Sequence, residues 1–398
     1  MGILFDSIIV YTITALLLYF SASSVVHTKD GTISIAKKSK LPRGFLWCII
    51  IFIIFAGVRY DVGVDHLEYL DNYLRALKGL DFNRSTSSGF EEGYVFLTRA
   101  FASLSIHPTI YFGFLAALQI TFVVLAIKDE KRIVPYVMLL IILGGYFFTW
   151  MNGIRQMIAA CTYFWGTRFI NEKKISSFII CGIFAYLWHH SSIIFFPCFL
   201  FAFSHLVWNK TWINLSLFIT CVVVGLTPTW VDLLNRFTPA LAMLGYDNYS
   251  DMMGQLLDPT NGTSFNVGPR YLFAVFSYVL VIFYYPKARK FFNSPIFDLY
   301  FKFFLIGCCL YYLLVNVGMI FLRPVLYFSI FSLPVTAYIL VYLQKTKNYL
   351  LFVLLLMFTM TYTYISCMSD AGLPEAERRS YLYHFYFSNV NKVKLIDF

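Results

Sequence analysis

Residues 133–170 read IVPYVMLLIILGGYFFTWMNGIRQMIAACTYFWGTRFI, a stretch whose only charged side chains are Arg155 and Arg168. Crossing about 30 Å of hydrocarbon takes roughly 20 apolar residues. The stretch therefore reads as two membrane spans, 133–150 and 153–170, meeting at Asn152-Gly153. The same pattern continues outward in both directions, with apolar runs near 3–25, 43–58, 108–127, 174–188, 191–207, 211–228, 269–285, 296–316, 320–343 and 348–366. The expected fold is all-α: a polytopic integral membrane protein of about 12 transmembrane helices (range 11–14) in one domain over 1–398. Residues 93–106 are too short to span comfortably and are interrupted by Arg99, so they read as a re-entrant or interfacial helix.

Composition agrees. Hydrophobic residues make up 59% and charged residues 13%, against roughly 25% charged in a soluble domain. Aromatics reach 20%, as expected where Tyr and Trp line membrane–water boundaries. The net charge of +10 does not indicate nucleic acid, because the basic residues sit in short clusters between apolar runs and form no stripe interleaved with aromatics. The eight Cys fall mostly inside apolar runs, with no CxxC pair and no Cys/His ligand spacing, and read as small buried hydrophobes. The first run has no basic segment before it and no small-residue cleavage site, so it reads as a retained span.

Charge sets the expected sidedness. With the N-terminus outside, the inner loops hold 18 of the 31 Lys+Arg and only 5 of the 21 acidic residues, the asymmetry expected of cytoplasmic loops. Treating 174–207 as one long helix would weaken that asymmetry, which favours a pair hinged at His189-His190-Ser191-Ser192. Loops 59–92 and 229–268 and the tail 367–398 then lie outside.

Ionisable groups at membrane depth are costly, so each needs a reason. Arg59-Tyr60-Asp61-Val62-Gly63-Val64-Asp65 opens the first outer loop; a helix after Gly63 would put Asp65 and Tyr69 on one face. Arg59 among carboxylates is either an ion-pair network fixing the loop or an anion-binding arginine beside an acidic group. Glu91-Glu92-Gly93-Tyr94 is either an acidic helix start, favoured by the dipole, or a site. Arg155 and Gln156 begin an otherwise apolar helix, where an arginine can also simply snorkel to the interface. His189 is either satisfied by partners at a helix break or a neutral base for a hydroxyl proton. Arg323 precedes Pro324, with Tyr327 one turn on. On the expected topology Arg59, Arg155, His189 and Arg323 all reach the outer boundary.

These segments, with Tyr383-His384-Phe385-Tyr386 near the end, resemble the EpsG-type family of bacterial polysaccharide polymerases, relatives of the Wzy O-antigen polymerases. One departure is Glu92, where the family more often has Pro, which makes Glu91 the better match to its acidic position. The resemblance implies transfer of a glycan from undecaprenyl pyrophosphate to the non-reducing end of another lipid-linked repeat unit, at the outer face of the bacterial inner membrane. Arg59, Arg155 and Arg323 would stabilise pyrophosphate, with Gln156, Tyr69, Tyr94 and Tyr327 positioning phosphate or sugar. His189, Asp65 or Glu91 would be the base. No cofactor is implied, and arginine charge favours a metal-free reaction, although Asp61 and Asp65 leave a divalent ion open. The implied partners are lipid-linked oligosaccharides, membrane lipids and a chain-length regulator, without nucleic acid. An O-antigen ligase, a polyprenyl-phosphate-sugar transferase, a lipid-linked sugar flippase and a membrane acyltransferase are the competing readings.

Overall fold

Several of the apolar runs begin with proline in the first helical turn, where its missing N–H is no loss: Pro108, Pro135, Pro269 and Pro295. His107 and Ser294 cap two of these helices, accepting from the N–H groups of Thr109 (3.3 Å) and Phe297 (3.4 Å). The computed structural model describes residues 2–26, 42–82, 90–198, 210–227, 230, 267–316, 322–374 and 380–389. In it the runs are helices α1 (Gly2–Val26), α2 (Arg43–Gly57), α5 (Pro108–Ile127), α6 (Val134–Leu143), α7 (Tyr146–Asn152), α8 (Ile154–Asn171), α9 (Ile175–Trp188), α10 (Thr211–Gly225), α11 (Pro269–Phe292), α12 (Pro295–Leu314), α13 (Leu326–Ser329), α14 (Ser332–Lys345) and α15 (Tyr349–Ala371). Two shorter helices, α3 (His66–Leu77) and α4 (Glu92–Ser103), stand between α2 and α5.

The chain is an all-α membrane protein, and among the described residues the long apolar helices alone do not make up the expected twelve spans. Among the described residues six helices are long and apolar enough to cross a membrane, or seven if α6 and α7 count as one. The shortfall has physical causes. Helices α2, α9 and α10 have only 14 or 15 residues, short of a full crossing if straight and untilted. The expected span 133–150 is bent by 62° between α6 and α7, where Gly144-Gly145 interrupts it and Gly145 takes φ +78°. Helix α8 is central: every residue from Gln156 to Phe164 is buried, so protein rather than lipid surrounds its polar groups. It packs against α5, α9 and α13.

The hinge at His189 is present. Helix α9 ends at Trp188, His189 is extended, and a 3-10 helix runs from His190 to Cys198. Phe178 and Phe196 stack at 5.7 Å, whereas a straight helix would hold them about 27 Å apart, so the chain reverses here. Nearly all of loop 229–268, expected outside, and just over half of the expected span 191–207 lie outside the described residues.

One feature has no counterpart in the hydrophobic pattern. Strand β1 (Arg59–Tyr60) pairs antiparallel with β2 (His384–Phe385), in the register Arg59 with Phe385 and Tyr60 with His384. The returning tail is held from several sides. Tyr383 donates to the Phe55 carbonyl (2.5 Å) and stacks on the Phe55 ring, and Tyr11 donates to the Tyr381 carbonyl (2.9 Å). Tyr383→Phe removes one buried bond and leaves a carbonyl unmet, which should lower stability by about 1–3 kcal/mol. A thermal unfolding midpoint equal to that of wild type would show that the tail contributes nothing to the fold.

Charge separates along α8. Arg155 lies in its first turn, while Arg168 near its end pairs with Asp129 and Glu172. Those two arginines are about 20 Å apart at 1.5 Å per residue. Near the Arg168 end, Arg289 bonds Asp298 (2.8 Å) and Ser294 bonds Glu130 (3.3 Å). Among the described residues these charged pairs thus gather at one end of the bundle and the candidate site at the other.

Candidate active site

The site begins with a close backbone approach. Gly93, in the first turn of α4, lies against the C-terminal end of α9: a Cβ there would sit 2.7 Å from the Leu187 carbonyl oxygen. This contact sets Glu91 beside His189. Glu91 occupies the N-cap position of α4, yet its side chain makes no capping bond. One carboxylate oxygen instead meets His189 Nδ1 at 2.5 Å, and the other takes an ion pair from Arg155 Nη1. The simple helix-start reading therefore fits Glu92, which is exposed and bonds His190 Nε2 (3.2 Å), and not Glu91.

Arg155 is enclosed by rings. Its guanidinium lies 4.9 Å from the Phe90 ring, 5.5 Å from that of Tyr94 and 5.9 Å from that of Tyr69, and its Nε donates to the Tyr69 hydroxyl (3.4 Å). Such faces attract a cation most strongly where water is excluded. Tyr69 reaches this place because α3 starts as the sequence predicts, with Asp65 at its N-cap and the Tyr69 N–H donating to the Asp65 carbonyl. The Asp65 N–H donates to Asn152 Oδ1 (3.1 Å), tying the loop after α2 to the α7–α8 corner.

Electrostatics assign different tendencies to the acidic and basic groups. Burial raises the Glu91 carboxyl, but the bond from His189 and the Arg155 charge outweigh it and hold Glu91 at about 2. Burial lowers the His189 imidazole below its ordinary value; the Glu91 carboxylate opposes this, and Arg155 and Arg323 add to it. His189 is thus neutral at neutral pH. With Nδ1–H donated to Glu91, its Nε2 is left as an acceptor. Asp65 is raised by burial and by Glu68, with Arg323 and Arg155 pulling the other way. The field of Arg323 thus reaches both Asp65 and His189. Its side chain is exposed, and among the described residues it forms no ion pair with a carboxylate.

The remaining expected residues fall into place around this centre. Gln156 is buried and donates to the Arg323 carbonyl (2.5 Å), so its amide N–H fixes the Arg323 turn. Tyr94 and Tyr327 are fully buried; Tyr327 shares a hydrogen bond with Ser191 (3.0 Å), and both tyrosines form walls. Arg59 is not brought into the cluster. It is buried, bonded to the Ala56 and Val62 carbonyls and set 5.2 Å from the Phe112 ring, with burial pulling its pKa down to about 10. It closes the α2–β1 turn. Asp61 accepts from Ser380 Oγ (3.2 Å) on the tail side. Among the described residues no group of three or more His, Cys, Asp and Glu is arranged to hold a metal ion.

The geometry yields a sharp prediction. Gly93→Ala changes no chemical group, but it wedges α4 from α9 and parts Glu91 from His189. Turnover should fall on the order of 10²-fold, as for a misplacement of about 1 Å, while the protein stays folded. Wild-type turnover in Gly93→Ala would show that the Glu91–His189 contact does not matter.

No curated protein and no solved structure is significantly similar to the chain. The model of the EpsG family matches residues 44–385, from the first turn of α2 to the end of β2, and takes in every residue of the cluster. The chain therefore belongs to the EpsG family, bacterial membrane proteins of polysaccharide-polymerase type.

Proposed function

We propose that the protein is a membrane glycosyltransferase that polymerises lipid-linked glycan repeat units at the outer face of the bacterial inner membrane. The observation that supports this most directly is the Glu91–His189 pair set within reach of two arginine charges. The acceptor hydroxyl of one repeat unit attacks the anomeric carbon of the glycan on undecaprenyl pyrophosphate. A new glycosidic bond forms as the bond from that carbon to the pyrophosphate oxygen breaks. His189 Nε2 takes the hydroxyl proton, and undecaprenyl pyrophosphate departs with the electron pair.

Glu91 is too acidic to serve as the base and acts through His189, fixing its tautomer and steadying the imidazolium that forms. Arg323, whose exposed side chain has no carboxylate partner among the described residues, meets the charge growing on pyrophosphate. Arg155 keeps Glu91 ionised, and Asp65 lies within the field of the same two arginines. The placement of this end outside rests on the Lys/Arg excess at the other.

The test uses purified protein and lipid-linked repeat units, with products resolved by length. A ladder is the expected outcome. A single transfer to a different acceptor would instead mark a ligase, and the absence of any transfer would sink the enzyme reading.

A further inference from the structure

On the other side of α13 from Glu91 and His189 lies a cavity of about 190 Å³. The short helix is the partition: Tyr327 turns to Ser191 in the site, while Leu326, Phe328 and Ser329 line the cavity. The break between α6 and α7 opens the space, because Tyr146 turns inward there and bonds Ser332 (2.5 Å). Nine of its lining residues are aromatic, among them Tyr146, Phe273, Phe358 and Tyr362, with Ser and Thr hydroxyls between them.

Among the described residues one charged side chain lines it. Arg270 is half-buried in the first turn of α11. It donates to Ser366 Oγ (3.1 Å) and stands 5.8 Å from the Tyr362 ring; among the described residues it forms no ion pair with a carboxylate. The first turn of α11 contains no acidic residue either. A cation there faces the positive end of the helix dipole, a placement that an anion relieves. A cavity rich in rings, whose arginine has no carboxylate partner among the described residues, matches a ligand that is apolar along its length and anionic at one end.

We infer that this cavity is a second lipid-carrier site, which holds a polyprenyl phosphate or pyrophosphate by its headgroup on Arg270 and its first isoprene units among the rings. The cavity is too small for a whole chain, so the remainder extends beyond it. An anionic lipid is indicated by the cavity itself; its identity as a polyprenyl carrier rests on the polymerase reading. That reaction requires two lipid-linked molecules at once, and α13 gives each its own side of one thin wall.

The experiment uses the full-length protein in nanodiscs of phosphatidylcholine, with a photoreactive polyprenyl phosphate as probe and labelled peptides mapped. Labelling of α11 and α15 is expected in wild type. It should fall by at least about tenfold in Arg270→Ala, the loss typical of removing one partner of a charged pair, and persist largely in Arg270→Lys. Ala274→Phe, which fills the cavity without touching the charge, should also prevent it. Unlabelled polyprenyl phosphate should compete. Equal competition by inorganic pyrophosphate would reduce the site to one for a free anion, and equal competition by polyprenol would reduce it to a greasy groove; either overturns the inference. Unchanged labelling in both Arg270→Ala and Ala274→Phe does the same. Glu91→Gln should label normally while extending chains far more slowly than wild type. Labelling that depends on Arg270, found without any ladder in wild type, would defeat the polymerase reading and leave the lipid site standing. A ladder without such labelling would do the reverse.

Discussion

His189→Ala is expected to reduce chain extension by about 10²–10⁴-fold, the usual contribution of a positioned general base, with the protein still folded. Glu91→Gln should also be severely slowed, since the imidazole loses the carboxylate that orients it. The pH dependence separates the two roles. A base works when unprotonated, so activity should fall as pH drops through the His189 pKa, which burial places below the ordinary imidazole value. The Glu91 carboxylate raises that pKa; its removal should move the acidic limb to still lower pH while the maximal rate falls. Asp65→Asn should leave the limb where it is. If His189→Ala extends chains within a few-fold of wild type, or if the limb follows Asp65→Asn instead, His189 is not the base.

The sequence made part of this legible and concealed the rest for physical reasons. Long apolar runs report a membrane helix whatever surrounds it, so α1, α5, α11, α12 and α15 stand where hydropathy puts them. Hydropathy does not tell lipid from protein, and α8, wrapped by neighbours, carries polar groups that a lipid-facing span would not. Charge and span parity brought Arg59, Arg155, His189 and Arg323 to one end of the bundle; that Glu91 joins Arg155 and His189 there is seen only in the structure. Parity places a residue at an end of the bundle but does not orient its side chain. That is why Arg59, at the same end, turns to the Ala56 and Val62 carbonyls, and why Gln156 serves the Arg323 backbone. The β1–β2 pairing could not be read at all, because two-residue strands leave no periodicity. Arg270 also escaped notice: an arginine beside a proline at a span's edge looks like ordinary snorkelling until the cavity next to it is seen.

The Arg155–Glu91 pair offers the largest expected change in stability. Both side chains are nearly excluded from solvent, at 14% and 7% exposure, and each satisfies the other in a setting lined by rings. Removal of one partner leaves a buried charge, which typically costs about 3–5 kcal/mol. Arg155→Met and Glu91→Leu should therefore each lower the thermal unfolding midpoint markedly in detergent. The double variant should recover part of the loss, since neither charge remains, with a coupling of about 0.5–3 kcal/mol. All three should fail to extend glycan, which separates stability from function. The pair's pH dependence has a definite sign. Glu91 titrates near 2 when folded, against 4.5 ordinarily, so its contribution is complete above about 4.5 and is lost as pH falls toward 2. Arg155→Lys keeps the charge but loses the planar fork that meets Glu91 and Tyr69 together, so it should fold and yet turn over slowly. Strict additivity of the two single losses, or wild-type turnover in Arg155→Lys, would show that these residues do not act as one unit with His189.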